Sequence, residues 1–345
     1  MSAAELIRLD ASGPGDVSGL SALIAGGTMW EAVRAVVGKT EGNGCVNDFS
    51  RDLAARAWSD VLPDDAVAVM SGGTEGVLSP HFTLVVQRDR DDAAASTLSL
   101  GLARTDPIPA VDLGRRAQVE AVADAVSHAR ASASVLADDV HFVLVKCPLL
   151  TSDQIAAAAI RGESLACRSP YESMSRSRGA AALGVGLALG EIADAAIDST
   201  LDGVTESWSS VASVSAGVEV TACHVILLGN AAHPHRGQRV SSTVMRDAVD
   251  AAPVQRLLNE ITAKHGRVVQ LFAKAEADPT GAIRGRRHTM LTDSDLAPTR
   301  HARAAVGGLL CGLVGDTALY VSGGAEHQGP PGGGPVAIVW EPTPC

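Results

Sequence analysis

Lysine is scarce in this chain, with four residues against twenty-four arginines. Three of the four, Lys39, Lys146 and Lys274, close apolar runs that read AVRAVVGK, VHFVLVK and VVQLFAK. Downstream of each stands a serine in the pattern Ser-x-Gly-x-Glu. The copies are Ser71-Gly72-Gly73-Thr74-Glu75, Ser215-Ala216-Gly217-Val218-Glu219 and Ser322-Gly323-Gly324-Ala325-Glu326. A serine beside a lysine, with no histidine partner in view, suggests Ser–Lys catalysis. The amine must be neutral to take the hydroxyl proton, so its pKa has to fall from about 10.4 to near 7, a shift of about 4–5 kcal/mol. Desolvation and neighbouring positive charge both push in that direction. The apolar run before each lysine would supply the first, and converging lysines with Arg51, Arg178 and Arg303 the second. Once Ser215 attacks a carbonyl, backbone N–H groups at the glycine turn are the natural oxyanion donors.

The elements that must position these groups come in triplicate. Each serine follows an apolar strand-like run (AVAVM, SVASV, TALYV) and precedes another (FTLVV, HVILL, PVAIV), which predicts hairpins. Between lysine and serine lies an Ala- and Leu-rich segment, expected to be a largely buried helix that begins at the arginine. The lysine-to-serine spacings are 32, 69 and 48 residues, so loops vary while the framework persists. A single match would be read as an ordinary turn. Three in one order predict an α/β (α+β) fold of three similar units, about 1–105, 106–250 and 251–345. Each unit would be a small sheet with flanking helices, set around a pseudo-threefold axis. The units need not be equal. Ala216 stands where the others have Gly72 and Gly323, and Lys146 sits in the more apolar VLVKCPLL. The middle unit is therefore expected to carry the nucleophile, Ser215, and the most desolvated base, Lys146.

Composition narrows the remaining classes. Net charge is −11 without a basic stripe, which argues against a nucleic-acid partner. Six well-separated cysteines with no CxxC pair suggest reduced thiols. The N-terminal segment lacks a signal-peptide pattern and no apolar run is long enough to span a bilayer, so a cytoplasmic location and no membrane partner are expected. His233 and His235 in AAHPHRGQ read as solvated loop residues in preference to metal ligands. The loop AEHQGPPGGGP (325–335) can turn several carbonyls toward a hard cation, with Glu276 supplying a carboxylate. A flexible glycine loop explains the same residues equally well.

The longer motifs carry a resemblance. GKTEGNGCVNDFSR (38–51), MSGGTEGVLSPH (70–81), VKCPLLT (145–151), SRGAAALG (177–184), FAKAEADP (272–279), RRHTMLTDSD (286–295), TRHARA (299–304) and YVSGGAEHQGPPGGGP (320–335) resemble the ring-opening amidohydrolases, from about residue 14 to the C-terminus. The resemblance implies hydrolytic opening of cyanuric acid to carboxybiuret, which then loses CO2 to give biuret, as in s-triazine degradation. It implies a central active site with Lys146 and Ser215 as the dyad and no catalytic cofactor. Substrate would be bound by Arg51, Ser71, Gly72, Arg178, Ser215, Ala216, Arg303, Ser322 and Gly323, with Lys39 and Lys274 alongside. It also implies a structural Mg2+ or Ca2+ held by Glu276 and backbone atoms of Ala325, Gln328, Gly329, Pro330 and Gly333, and a homotetramer. Opening of barbituric acid is the alternative activity, and a non-catalytic cyclic-imide binder the alternative class. The segment 229–250 departs from the family pattern in its first half.

Overall fold

Three four-stranded sheets with one shared strand order build the protein, as seen in a computed structural model that describes residues 3–88, 97–231 and 237–343. The first unit runs β1 (Ala3–Asp10), α1 (Ser18–Ala25), β2 (Val33–Thr40), α2 (Phe49–Ser59), β3 (Val67–Gly72) and β4 (His81–Arg88). The second runs β5 (Leu98–Pro107), α3 (Arg116–Ala133), β6 (Val140–Pro148), α4 (Ser152–Arg161), α5 (Pro170–Leu189), α6 (Ile197–Leu201), β7 (Ala212–Gly217) and β8 (Ala222–Asn230). The third runs β9 (Arg239–Met245), α7 (Ala251–Ala263), β10 (Gly266–Ala275), a small hairpin of β11 (Ala282–Ile283) and β12 (Arg286–Arg287), α8 (Pro298–Val314), β13 (Tyr320–Gly323) and β14 (Gly334–Pro342). The sheet orders are β1-β4-β2-β3, β5-β8-β6-β7 and β9-β14-β10-β13. In each, the lysine strand is internal, the serine strand lies on its edge, and the last strand flanks the lysine strand on the other side.

That order corrects the expected hairpins. The serine strands β3, β7 and β13 pair in parallel with the lysine strands β2, β6 and β10. The strand after each serine motif pairs antiparallel with the lysine strand instead. The helix between lysine and serine makes this a crossover, and a parallel partner needs such a crossover. The sheet pairing also moves two strands across the expected unit boundaries. Most of β5 precedes residue 105 yet pairs with β8, and β9 precedes residue 250 yet pairs with β14. Helices α5 and α8 begin well before their arginines, at Pro170 and Pro298, because proline at the first helical turn starts a helix readily.

The inner faces of the three sheets meet in one core that includes Val37, Val69, Phe142, Leu144, Phe272 and Tyr320. Phe142 stacks on Phe272 with ring centroids 4.6 Å apart, and Phe272 meets Tyr320 at 5.6 Å. The outer faces are covered by helices: α3 and α5 over the middle sheet, α7 and α8 over the third. The lysine strands, buried on both faces, are accordingly almost uninterrupted apolar runs. No helix among the described residues is long and apolar enough to cross a membrane. Cys45, Cys147, Cys167, Cys223 and Cys311 are free thiols. His233 and His235 lie outside the described residues.

Candidate active site

Parallel pairing puts each lysine directly opposite its serine: Lys39 with Ser71, Lys146 with Ser215, and Lys274 with Ser322. All six lie near the C-terminal ends of their strands and converge on the axis where the three sheets meet. The helices deliver the arginines to the same point, and each reaches into a neighbouring unit. Arg51, at the start of α2, donates to Ala216 O of the middle unit at 2.9 Å and to Cys45 O at 2.6 Å. Arg178 of α5 forks onto Glu326 of the third unit at 2.8 and 2.6 Å. Arg303 of α8 forks onto Glu75 of the first unit, both bonds 2.7 Å. The first unit thus clasps the second, the second the third, and the third the first. Bidentate arginine–carboxylate pairs hold orientation as well as position.

A small cavity on this axis is lined by Arg51, Arg178 and Arg303, by Ser71, Ser215 and Ser322, and by Gly72, Ala216 and Gly323. The structure therefore brings these nine expected site residues together. Gly44 and Met174 line it too, and sequence reasoning missed both. Met174 was in principle findable, since it sits one helical turn before Arg178 and so shares its face. The three lysines stand one layer behind the serines, essentially fully buried. The glycine-turn N–H groups of Gly73 and Gly324 are already donated to Thr40 O and Ala275 O, so they are not free oxyanion donors.

The serine-adjacent position explains the middle unit's alanine. A side chain at 72 would put its Cβ 1.6 Å from Asp48 Oδ2, and one at 323 would meet Arg303 Nη1 at 2.6 Å. Asp48 is fixed because it caps α2, accepting from the N–H groups of Ser50 and Arg51, and it also accepts from Gly44 N at 2.8 Å. At the related position Ala216 packs its methyl group into the core of the middle unit.

The lysines differ in their partners. Lys39 Nζ lies 3.4 Å from Ser71 Oγ and 3.1 Å from Gly72 O. Lys274 Nζ donates to Ser322 Oγ at 3.1 Å and to Val214 O at 2.8 Å. Lys146 instead donates to Met70 O at 2.8 Å and sits 2.7 Å from Glu219 Oε1, while the Ser215 hydroxyl has no hydrogen-bond partner among the described residues. Burial drives all three amines below the ordinary lysine range: Lys39 well below it, Lys146 below it, and Lys274 to about 7. Arg303 adds to the effect at Lys39, Arg178 at Lys274 and Arg51 at Lys146, where Glu219 opposes it. The expectation that Lys146 is the most desolvated base fails, because all three are equally enclosed. What sets it apart is its carboxylate, since Glu75 and Glu326 are committed to arginines. The glutamates of the repeated motif were visible in the sequence, but the partners of Glu75 and Glu326 come from other units.

A model of the amidohydrolase ring-opening protein family matches residues 5–341. The chain is 54% identical over 340 residues to a cyanuric acid amidohydrolase of Pseudonocardia dioxanivorans, covering 99% of each. It is 48% identical to one from a Rhodococcus species, covering 99% of this chain and 96% of the relative. The crystal structure of a cyanuric acid hydrolase from A. caulinodans superposes with a TM-score of 0.93 at 44% identity over the whole of both chains. The chain belongs to the ring-opening amidohydrolases. A second solved cyanuric acid hydrolase, also at TM-score 0.93, is described as an innovation by structural concatenation, which agrees with the three like sheets found here.

In this ring-opening amidohydrolase the expected cation loop closes over β10. Burial, and then the charge of Glu326, pushes the Glu276 carboxyl up to about 7, and Gly332 N donates to it at 3.2 Å. A buried carboxylate relieved mainly by backbone amides suits a hard cation. Gln328 can offer only its backbone, because its side chain already accepts from Val214 N and donates to Gly324 O and Glu326 O. Among the described residues there is no cluster of three or more His, Cys, Asp or Glu able to hold a metal, so carbonyl oxygens would have to complete the shell.

Proposed function

We propose that this chain opens the ring of cyanuric acid, giving carboxybiuret that then loses CO2 to form biuret, with Ser215 as nucleophile and Lys146 as base. The observation that carries this reading is the axial cavity itself, where three arginines and three serines face one point from three like units. A ring with three equivalent carbonyl–N–H edges matches that arrangement, and three guanidinium groups favour the anion of so acidic a ring. Ser71 and Ser322 accept bonds from their lysines and line the cavity, where their O–H groups can grip substrate oxygen. Ser215, bonded to no lysine and lining the cavity near the Tyr320 hydroxyl, is the hydroxyl left to attack. Neutral Lys146 takes its proton as the Ser215 Oγ–carbon bond forms, and returns it to the ring nitrogen as the C–N bond breaks. Water then attacks the ester carbonyl, giving a proton to Lys146. Lys146 passes it to Ser215 Oγ as the acyl C–O bond breaks, which regenerates both the serine and the neutral amine.

A Mg2+ or Ca2+ held by Glu276 and carbonyls of Ala325, Gln328, Gly329, Pro330 and Gly333 would fix the loop that carries Glu326, and so Arg178. A second reading puts the chemistry at Ser322, favoured by its 3.1 Å contact with Lys274. One set of assays separates these. Purified protein should consume cyanuric acid with release of CO2 and biuret, and leave barbituric acid nearly untouched. Ser215→Ala should abolish turnover, while Ser71→Ala and Ser322→Ala chiefly raise KM. Loss of barbituric acid alone would reassign the substrate, and an active Ser215→Ala beside a dead Ser322→Ala would move the nucleophile to the third unit.

A further inference from the structure

Behind Lys146, on the side away from the axial cavity, lies a second cavity of about 290 Å3. Its floor is Lys146 and Glu219, its wall includes Ala68 and His224, and exposed Asp64 and Arg104 stand at its rim. At roughly 30 Å3 per water, it holds several. The related position of the first unit is filled by a bonded side chain. There His81, opposite Lys39, is fully buried between Ser79 O and the Gln270 side chain, which also donates to Thr83. In the middle unit His224, opposite Lys146, leaves its Nδ1 without a partner among the described residues and borders the cavity instead.

We propose that this cavity is a solvent port serving the middle dyad, through which Glu219 removes the proton of Lys146 before Ser215 attacks. The inference rests on Lys146 being the base. Lys146 is ion-paired with Glu219 and donates to Met70 O, with no hydrogen bond to the Ser215 hydroxyl, so it has to lose one proton to become a base. Substrate seated among the arginines covers the axial side, which leaves the rear as the open route. The transfer is balanced: the ammonium N–H bond breaks, Glu219 gains the proton as a carboxylic acid, and water in the port carries it to bulk solvent. The neutral amine then turns to Ser215, directly across the strand pair.

The groups facing Lys146 fit this role. Arg51 of α2 disfavours its charge. His224 is held neutral near pKa 4 by burial and then by Arg104 on β5, and Cys147 is pushed up to about 11 by burial. Glu219 is the one carboxylate among the described residues ion-paired with Lys146. Burial alone would raise its carboxyl, but Lys146 and Arg51 bring it below the ordinary range. Gly217 makes room for it, since a Cβ there would lie 2.0 Å from Glu219 Oε2.

The test uses two kinds of variant in the full-length enzyme. Glu219→Gln keeps the shape but cannot take the proton. Its kcat should fall ~10–100-fold with KM within about twofold, in the range of one proton-transfer group. Loss of the carboxylate also disfavours the ammonium, so the acid limb of kcat/KM should move to lower pH. Formate should restore turnover to Glu219→Ala, and Ala68→Leu, which narrows the port, should abolish that rescue. Ala68→Leu alone should lower kcat and enlarge the solvent deuterium isotope effect. An unmoved acid limb in Glu219→Gln, or formate rescue that survives Ala68→Leu, would overturn the port. Full activity in Lys146→Ala would instead overturn the assignment of the base on which the port depends.

Discussion

Glu75→Ala tests whether the cyclic clasp of the three units is a source of stability and of substrate binding. Glu75 accepts from Arg303 at 2.7 Å twice and from Arg300 at 3.0 Å. The Arg303 side chain is only 3% exposed and that of Glu75 10%. Removing the carboxylate therefore strands a buried guanidinium, which costs about 3–5 kcal/mol. In a thermal melt this is a drop on the order of 5–15 °C. The exposed pair Arg161–Glu163, at 54% and 33%, is the control, and Glu163→Ala should cost at most about 1 kcal/mol. Arg303 also lines the axial cavity, so a guanidinium released from Glu75 should raise KM as well. Losing one charged hydrogen bond of about 1.5–3 kcal/mol corresponds to a rise of roughly 10–100-fold. Glu75→Gln keeps one acceptor and should lose less in both measurements. If Glu75→Ala melts within error of Glu163→Ala and binds substrate normally, the clasp holds nothing together and the reasoning fails.

Gly72→Ala should cost about 1–3 kcal/mol in a denaturation curve and depress activity, because the new methyl group collides with the Asp48 cap of α2. Ala216→Gly at the related position should cost no more than about 1 kcal/mol, and equal losses for the two would remove the explanation. Treatment with a chelator should lower the melting temperature, and millimolar Mg2+ or Ca2+ should restore it, by about 2.7 kcal/mol at a hundred times Kd. Glu276→Gln should not respond to either addition, and an unresponsive wild type would exclude the cation site.

The repeated order of lysine, helix and serine was legible because each repeat spends the same residue types on the same backbone task. The lysine strands announced themselves as apolar runs, and Lys146 opposite Ser215 follows from the parallel register that such runs adopt. The hairpins were misread for a local reason. A glycine turn between two strands looks alike whether the strands pair with each other or both flank a third. The opening strands β5 and β9 escaped notice because nothing chemical marks them, so the unit boundaries fell one strand late. At Ala216 the sequence showed that the middle unit differs, but only Asp48 and Arg303, brought up against Gly72 and Gly323, say why.

The chain by itself determined that three like segments each carry a lysine, an arginine, a serine and a glutamate in one order, since local pattern and periodicity are written along the backbone. Only the tertiary structure decided which charge meets which. Glu75 turns to Arg303, Glu326 to Arg178 and Glu219 to Lys146, and those pairs join residues 228, 148 and 73 positions apart. The first two pairs join different units, so they depend on how three separate sheets dock around an axis, which no spacing within one unit encodes. The third lies within the middle unit and depends on β7 pairing in parallel with β6.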